Sequence, residues 1–148
     1  NSPMKIKNRT AGHDYEILET FEAGLDLLGP EVKSVREGKV SLNESFVHFR
    51  NGQAYLVNAH IHSYQNSALT IEPTRSRKLL LHKKELVSLS TKVQTMGLTL
   101  VPVSIYNKGN LFKVEVALAK GKKAWDKREA IKKKTMEREM EQELRGKE

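Results

Sequence analysis

The chain has 148 residues, 38% hydrophobic and 30% charged, with a formal net charge of +8. That length accommodates one domain with an appendage, and so large a basic excess points to a polyanion, nucleic acid before an anionic membrane surface, because neutralising phosphates releases counterions. The absence of cysteine excludes disulfide frameworks, thiolate nucleophiles and cysteine-based zinc sites; no apolar run approaches the ~20 residues that span a bilayer, and no secretory signal opens the chain, so a cytoplasmic location is expected.

Residues 1–12 read as a basic N-terminal arm in which Asn1–Pro3, ahead of Met4, are a remnant of expression. From His13 to Phe21, Tyr15 and Ile17 alternate with Asp14, Glu16 and Leu18, the period of a strand. At Gly29-Pro30 the pattern breaks. Pro30 suits a first helical turn, Glu31 behind it favours the positive helix end, Val32, Val35 and Arg36 continue the helix, and Gly38 stops it. Phe46–Phe49 and Ala54–Val57 flank Asn51-Gly52, the strongest short hairpin signal in the chain.

Residues 65–77 contain Pro73 and little periodicity and read as a loop. From His82 to Met96, Leu86, Leu89, Val93 and Met96 fall at helical intervals, with Gly97 as the stop. Leu98–Tyr106 and Leu111–Leu118 are β-rich runs joined at Asn107–Asn110, with Pro102 suited to an edge or a bulge. Short antiparallel strands with a few helices predict a mainly β fold with flanking helices, an OB-like antiparallel β-barrel over residues 13–120.

Residues 121–148 read as a C-terminal tail. Positions 120–134 hold eight Lys/Arg against Asp126 and Glu129, a net of +6, and positions 135–148 carry a net of −2. Ile131, Met136, Met140 and Leu144 give only a thin apolar stripe, so the tail is predicted to be disordered when free and helical when docked on a partner.

The strongest functional feature is AKGKKAWDKREAIKKK at 119–134. Its Lys and Arg supply phosphate contacts, and Trp125 offers a face for stacking. A helix starting near Trp125 brings Trp125, Arg128 and Lys132 to one side. A solvated helix whose tryptophan packs back on the barrel is the plainer alternative. Arg75, Arg77 and Lys78 form a second basic cluster, in the predicted loop before Leu79-Leu80-Leu81. It reads equally as RNA contact or as a guard beside an aggregation-prone strand. Lys5, Lys7 and Arg9 form a third, in an arm expected to be unstructured.

His60 and His62 would share a strand face, but no third ligand is in view, so no metal or other cofactor is predicted. The sequence has no G-x-S-x-G, H-E-x-x-H or Gly-rich phosphate loop, and its tail carboxylates have no pocket to shift their pKa values. The protein is therefore expected not to be an enzyme and to take no small-molecule substrate.

Five segments, in this order, carry a family resemblance: HDYEILETFEAGL at 13–25, EVKSVREGKVSL at 31–42, RKLLLHKKEL at 77–86, GLTLVP at 97–102 and LAKGKKAWDKRE at 118–129. Together the chain resembles the small protein B, or SsrA-binding protein, family, whose partner is transfer-messenger RNA (tmRNA). The resemblance implies an OB-like barrel that binds the tRNA-like domain of tmRNA in place of an anticodon arm. It also implies a tail that enters the empty mRNA channel, at the decoding region of the small subunit of a stalled ribosome, for trans-translation.

The same resemblance assigns the RNA-facing barrel surface to Glu31, Lys33, Ser34, Arg36 and Lys39, with Asn8, Arg9 and His13 nearby. It assigns the tail signature to Gly121, Lys122, Lys123, Asp126, Lys127 and Arg128. Trp125 stands where the family more often has Tyr or His, and Ser104 where many members have a basic residue, which would thin one phosphate contact. Replacing Glu31 is expected to weaken RNA binding with the fold preserved. The competing reading is a generic single-strand-binding OB module that stacks bases on Tyr15, Phe46, Phe49, Tyr55, Tyr64 and Tyr106.

Overall fold

Asn51 and Gly52 both take positive φ, 51° and 76°, and reverse the chain so that Arg50 lies opposite Gln53. Two consecutive left-handed residues make the turn whose twist matches that of the flanking strands. A second tight turn, with Gly109 at φ 61°, sets Lys108 opposite Leu111. These two hairpins frame the fold.

The structure, a computed structural model, describes residues 4–63, 71–121 and 135–140. Its elements in chain order are β1 (Lys5–Lys7), α1 (Ala11–Asp14), β2 (Tyr15–Leu25), α2 (Gly29–Arg36), β3 (Val40–Ser41), β4 (Phe46–Arg50), β5 (Gln53–Val57), β6 (His60–Ile61), β7 (Arg77–Leu80), α3 (Lys83–Met96), β8 (Thr99–Lys108) and β9 (Leu111–Gly121). Residues 135–140 are helical.

The sheet runs β8-β4-β5-β7-β2-β9 and returns from β9 to β8, so six strands form a closed ring of antiparallel pairs. Closure removes the open edges that would otherwise offer unpaired backbone groups. β8 is long enough to have two partners on its outer edge. Leu100 pairs with Val47 of β4, and Ser104–Tyr106 pair with β1. The N-terminal arm is therefore a strand over Lys5–Lys7, where the sequence predicted loose chain, because its backbone donors and acceptors complete the half of β8 that β4 does not reach. β3 and β6 form a separate two-stranded ribbon.

Inside the ring, Ala23, Leu56, Leu79, Leu100, Ile105, Val114 and Val116 meet in one core with Val35 of α2 and Leu86 and Leu89 of α3. Burying each leucine of α3 is worth about 1.5–3 kcal/mol. The α3 prediction holds from cap to stop. His82 is the N-cap, its N–H donating to Glu85 Oε1 at 3.0 Å, and Gly97 closes the helix at φ 63°. Met96 is the exception on its face, 62% exposed beyond the reach of the core.

Two boundaries differ from the sequence reading. His13 and Asp14 belong to α1, and the strand begins at Tyr15 and runs on to Leu25. The alternation there was misleading because the register of β2 against β9 shifts between Ile17 and Glu19, leaving both Ile17 and Leu18 exposed. Arg77 and Lys78, read as loop, begin β7, where they pair with Leu56 and Tyr55.

Candidate nucleic-acid interface

Leu28 occupies the N-cap position of α2 and has no polar side chain to offer the helix start. Glu31 supplies the need from inside the helix, its Oε1 accepting from the Leu28 N–H at 2.9 Å. Helical spacing then sorts the following residues. Ser34 and Val35 are fully buried, while Lys33 and Arg36 are exposed, followed by exposed Lys39. Arg36 lies 5.9 Å from the ring centroid of Phe112, a cation–π distance, and Lys39 Nζ is 3.2 Å from Glu37. Lys33, Arg36 and Lys39 form a short basic strip of the kind that contacts phosphates.

Ser34 and Glu31 lie beneath that strip. Ser34 Oγ donates to the His62 carbonyl at 2.6 Å, tying α2 to the end of the β3–β6 ribbon. Glu31 is 2% exposed and accepts from two guanidinium groups. Arg75 donates to it through Nε (3.0 Å) and Nη2 (2.5 Å), and Arg77 through Nε (2.8 Å). Arg77 is itself fully buried, its remaining nitrogens donating to the carbonyls of Ala59 and Pro73 at 2.8 and 2.9 Å. Neither Glu31, Ser34 nor Arg77 offers side-chain surface to an RNA. In this structure these three side chains form a support that fixes α2 against β7. Arg75 remains part-exposed and Lys78 half-buried on β7.

Burial alone would push the Glu31 carboxyl up. The hydrogen bonds from Arg75 and Leu28 and the charge of Arg77 outweigh it and hold the carboxyl below its ordinary value. Burial pushes Arg77 down, opposed by Glu31. An arginine stays protonated nonetheless, so the triad carries one more positive than negative charge just under the basic strip.

In the arm, Asn8 is also largely buried. Its Nδ2 donates to the Pro102 carbonyl at 2.9 Å, its N–H to the Val103 carbonyl at 2.8 Å, and its Oδ1 accepts from Thr10. Asn8 therefore clamps the arm to β8, and its neighbours Arg9 and His13 are the exposed groups. His13 Nδ1 lies 3.0 Å from Asp14. Ser104 is fully buried.

Gly121, assigned to the tail, is the last residue of β9, opposite Tyr15. Lys122, Lys123, Trp125, Asp126, Lys127, Arg128 and Lys132 lie outside the described residues, as do Tyr64 and most of the predicted tail disorder. Residues 135–140 are helical and contact the strand ring through Glu139, whose Oε2 accepts from Arg50 Nη1 at 2.8 Å. Sequence reasoning passed over Arg50. The available signal was the β4–β5 hairpin, which sets Tyr55 diagonally from Arg50, and the guanidinium lies 4.7 Å from that ring.

The described aromatics are mostly engaged. Phe46 is buried, Tyr55 carries Arg50, and Tyr15 packs on a small cluster with Val101, Ala117 and Ala119. The Tyr106 hydroxyl donates to Glu22, and burial, with Glu22 beside it, raises its pKa to about 12. Among the described residues no group of three or more His, Cys, Asp or Glu is placed to hold a metal ion, and no helix is long and apolar enough to cross a membrane.

The SmpB protein family model matches residues 5–146 of this sequence. The chain belongs to the SmpB family. Relatives described as SsrA-binding proteins include that of Persephonella marina, 50% identical over 141 residues (95% of this chain, 93% of the relative), and that of Rubrobacter xylanophilus, 51% identical over 140 residues (94% and 93%). A solved structure described as "tmRNA-SmpB: a journey to the center of the bacterial ribosome" superposes with a TM-score of 0.67 at 51% identity, covering 89% of this chain and 94% of that one. The match over residues 5–146 includes all five segments from 13 to 129.

Proposed function

We propose that this protein binds the tRNA-like domain of tmRNA and accompanies it to stalled ribosomes for trans-translation. The observation that carries this reading is family membership over residues 5–146, together with the likeness, at 51% identity, to a structure whose description joins SmpB, tmRNA and the ribosome. The closed strand ring is read as an OB-like barrel, the scaffold, and Lys33, Arg36, Lys39, Arg9, His13, Arg75 and Lys78 as its RNA-facing groups. The tail, from Lys122 through Trp125 to Lys132, is read as the part that occupies the empty mRNA channel at the decoding region. The protein acts by binding, in the cytoplasm, without catalysis of its own.

The test is affinity for the tRNA-like domain against an equal-length unstructured RNA at two salt concentrations. Preference for the folded domain that survives high salt supports shape-specific recognition. Equal binding that collapses with salt means charge alone holds the RNA and favours a generic single-strand binder.

A further inference from the structure

A polar cleft of about 360 Å³ opens beside Arg75. One wall is the barrel, with Arg50 from β4 and Thr74, Arg75 and Ser76 from the segment before β7; the other is the helical segment 135–140. Both arginines are positioned by neighbours outside the 135–140 segment. Tyr55 carries the Arg50 guanidinium at 4.7 Å, and Glu31 grips Arg75 through two nitrogens. The barrel side holds Arg50, Arg75 and Arg77 against Glu31 and Glu72, one positive charge in excess.

The group in the cleft is the Glu139 carboxylate. One oxygen accepts from Arg50 Nη1 at 2.8 Å, the other from the Ser76 hydroxyl. A guanidinium and a hydroxyl converging on two oxygens of one anion form the donor set that grips a phosphodiester as readily as a carboxylate. The tail is weakly seated there. The Arg50–Glu139 pair is partly exposed on both sides, and Arg138 reaches Thr74 Oγ1 at 3.1 Å and Glu72 only at 3.8 Å. Thr135 Oγ1 is buried with no hydrogen-bond partner among the described residues.

We propose that this cleft is a phosphodiester-binding site of the barrel, that Glu139 fills it in the free protein, and that the RNA backbone displaces Glu139 on binding and so releases the tail segment. The proposal rests on the RNA-binding reading above. It adds a site and a competition that couples RNA arrival to the freedom of the tail.

The experiment uses the full chain as wild type, Glu139→Gln, Arg50→Gln and the double variant. The Arg50 Nε–Hε signal is followed by NMR while the dinucleotide UpU is added, and affinity for the tRNA-like domain is measured in parallel. Glu139→Gln is expected to tighten both by about two- to fivefold, the range of a partly exposed ion pair, and the gain in tRNA-like-domain affinity should vanish in the double variant. An Arg50 signal that ignores UpU in Glu139→Gln overturns the site. A signal that responds, with tRNA-like-domain affinity equal in all four proteins, overturns the competition. If wild type shows no preference for the tRNA-like domain over unstructured RNA, the functional reading fails, and the UpU titration still decides whether the cleft binds phosphodiester.

Discussion

Arg77 Nε donates to Glu31 Oε2 at 2.8 Å, joining the first residue of β7 to the first turn of α2 across 46 residues of chain, with both side chains removed from solvent. A buried charge stripped of its partner costs far more than the pair contributes. Glu31→Gln is therefore expected to destabilise the fold by about 3–5 kcal/mol, because Arg77 has no route to water. Arg75→Gln should cost about 1 kcal/mol or less, since that guanidinium is 30% exposed. Urea unfolding of the two variants gives the comparison, and equal losses would show that burial of Arg77 is not what sets the cost. This differs from the expectation drawn from sequence, in which Glu31 could be replaced with the fold intact. Any loss of RNA binding on replacing Glu31 has to be measured where the variant is still folded.

The same carboxylate predicts an acid limb. Its folded-state pKa lies below the ordinary value of 4.5, because the bonds from Arg75 and Leu28 and the charge of Arg77 together exceed the upward push of burial. A depressed carboxyl contributes stability that is fully present above its unfolded value and is lost as pH falls through the folded one. The wild-type urea midpoint should fall steeply once pH drops below about 4.5, while that of Glu31→Gln, lower throughout, should fall less in the same window. Parallel curves would assign the acid sensitivity to other groups.

How much of this was legible in sequence differs from element to element. Asn51-Gly52, the α3 stripe with Gly97, and Pro30 with Gly38 were readable because each is set by backbone conformations that few residues adopt, or by one strong periodicity. The β2 start was not, because a register shift at Ile17–Glu19 lies in the pairing with β9 and leaves no mark in local alternation. Site residues divided the same way. Lys33 and Arg36 lie on the exterior of α2 and Lys39 just beyond its end, all three exposed cations to which residue type alone points. Glu31, Arg77 and Asn8 have the residue types of contacts, but their partners are 46 or 94 positions away, and sequence does not say which side of the surface they occupy. Arg50 needed both the hairpin register and the position of Glu139.

The basic strip separates charge from structure. Replacing Lys33, Arg36 or Lys39 singly with Gln should change the unfolding free energy from urea titration by no more than about 0.5 kcal/mol, as these side chains are exposed. Each replacement that removes a phosphate contact should weaken tRNA-like-domain binding and reduce the slope of log affinity against log salt by about one. A variant whose affinity falls with an unchanged slope would be acting through shape and not through counterion release.

Gly24 shows how closely β2 and β7 approach where the ring turns from one pair to the next. A Cβ there would lie 3.1 Å from Leu80 Cβ and 3.3 Å from its Cδ1, and the two residues are direct register partners. Gly24→Val is expected to cost about 1–3 kcal/mol by overpacking. Part of that should return when Leu80 is cut to Ala, which removes the Cδ1 contact but leaves Cβ in place. Additive losses in the double variant would mean the two side chains do not meet.

Truncation after Gly121 tests the division between barrel and tail. β9 is complete at Gly121, opposite Tyr15, and every strand of the ring lies before it. The shortened protein should keep nearly the wild-type urea midpoint; the contacts it loses among the described residues are those of the 135–140 segment with the strand ring, Glu139 and Arg138 foremost. It should also keep most of its affinity for the tRNA-like domain, because the strip on α2 and the arm is intact and Arg50 is uncovered. It loses seven of the eight Lys/Arg at 120–134 together with Trp125, and with them the expected activity in tagging on stalled ribosomes. Tagging that survives the truncation would mean the tail is dispensable for ribosome engagement. Loss of tRNA-like-domain binding would move the principal RNA site off the strand ring and its helices and onto the segment beyond Gly121.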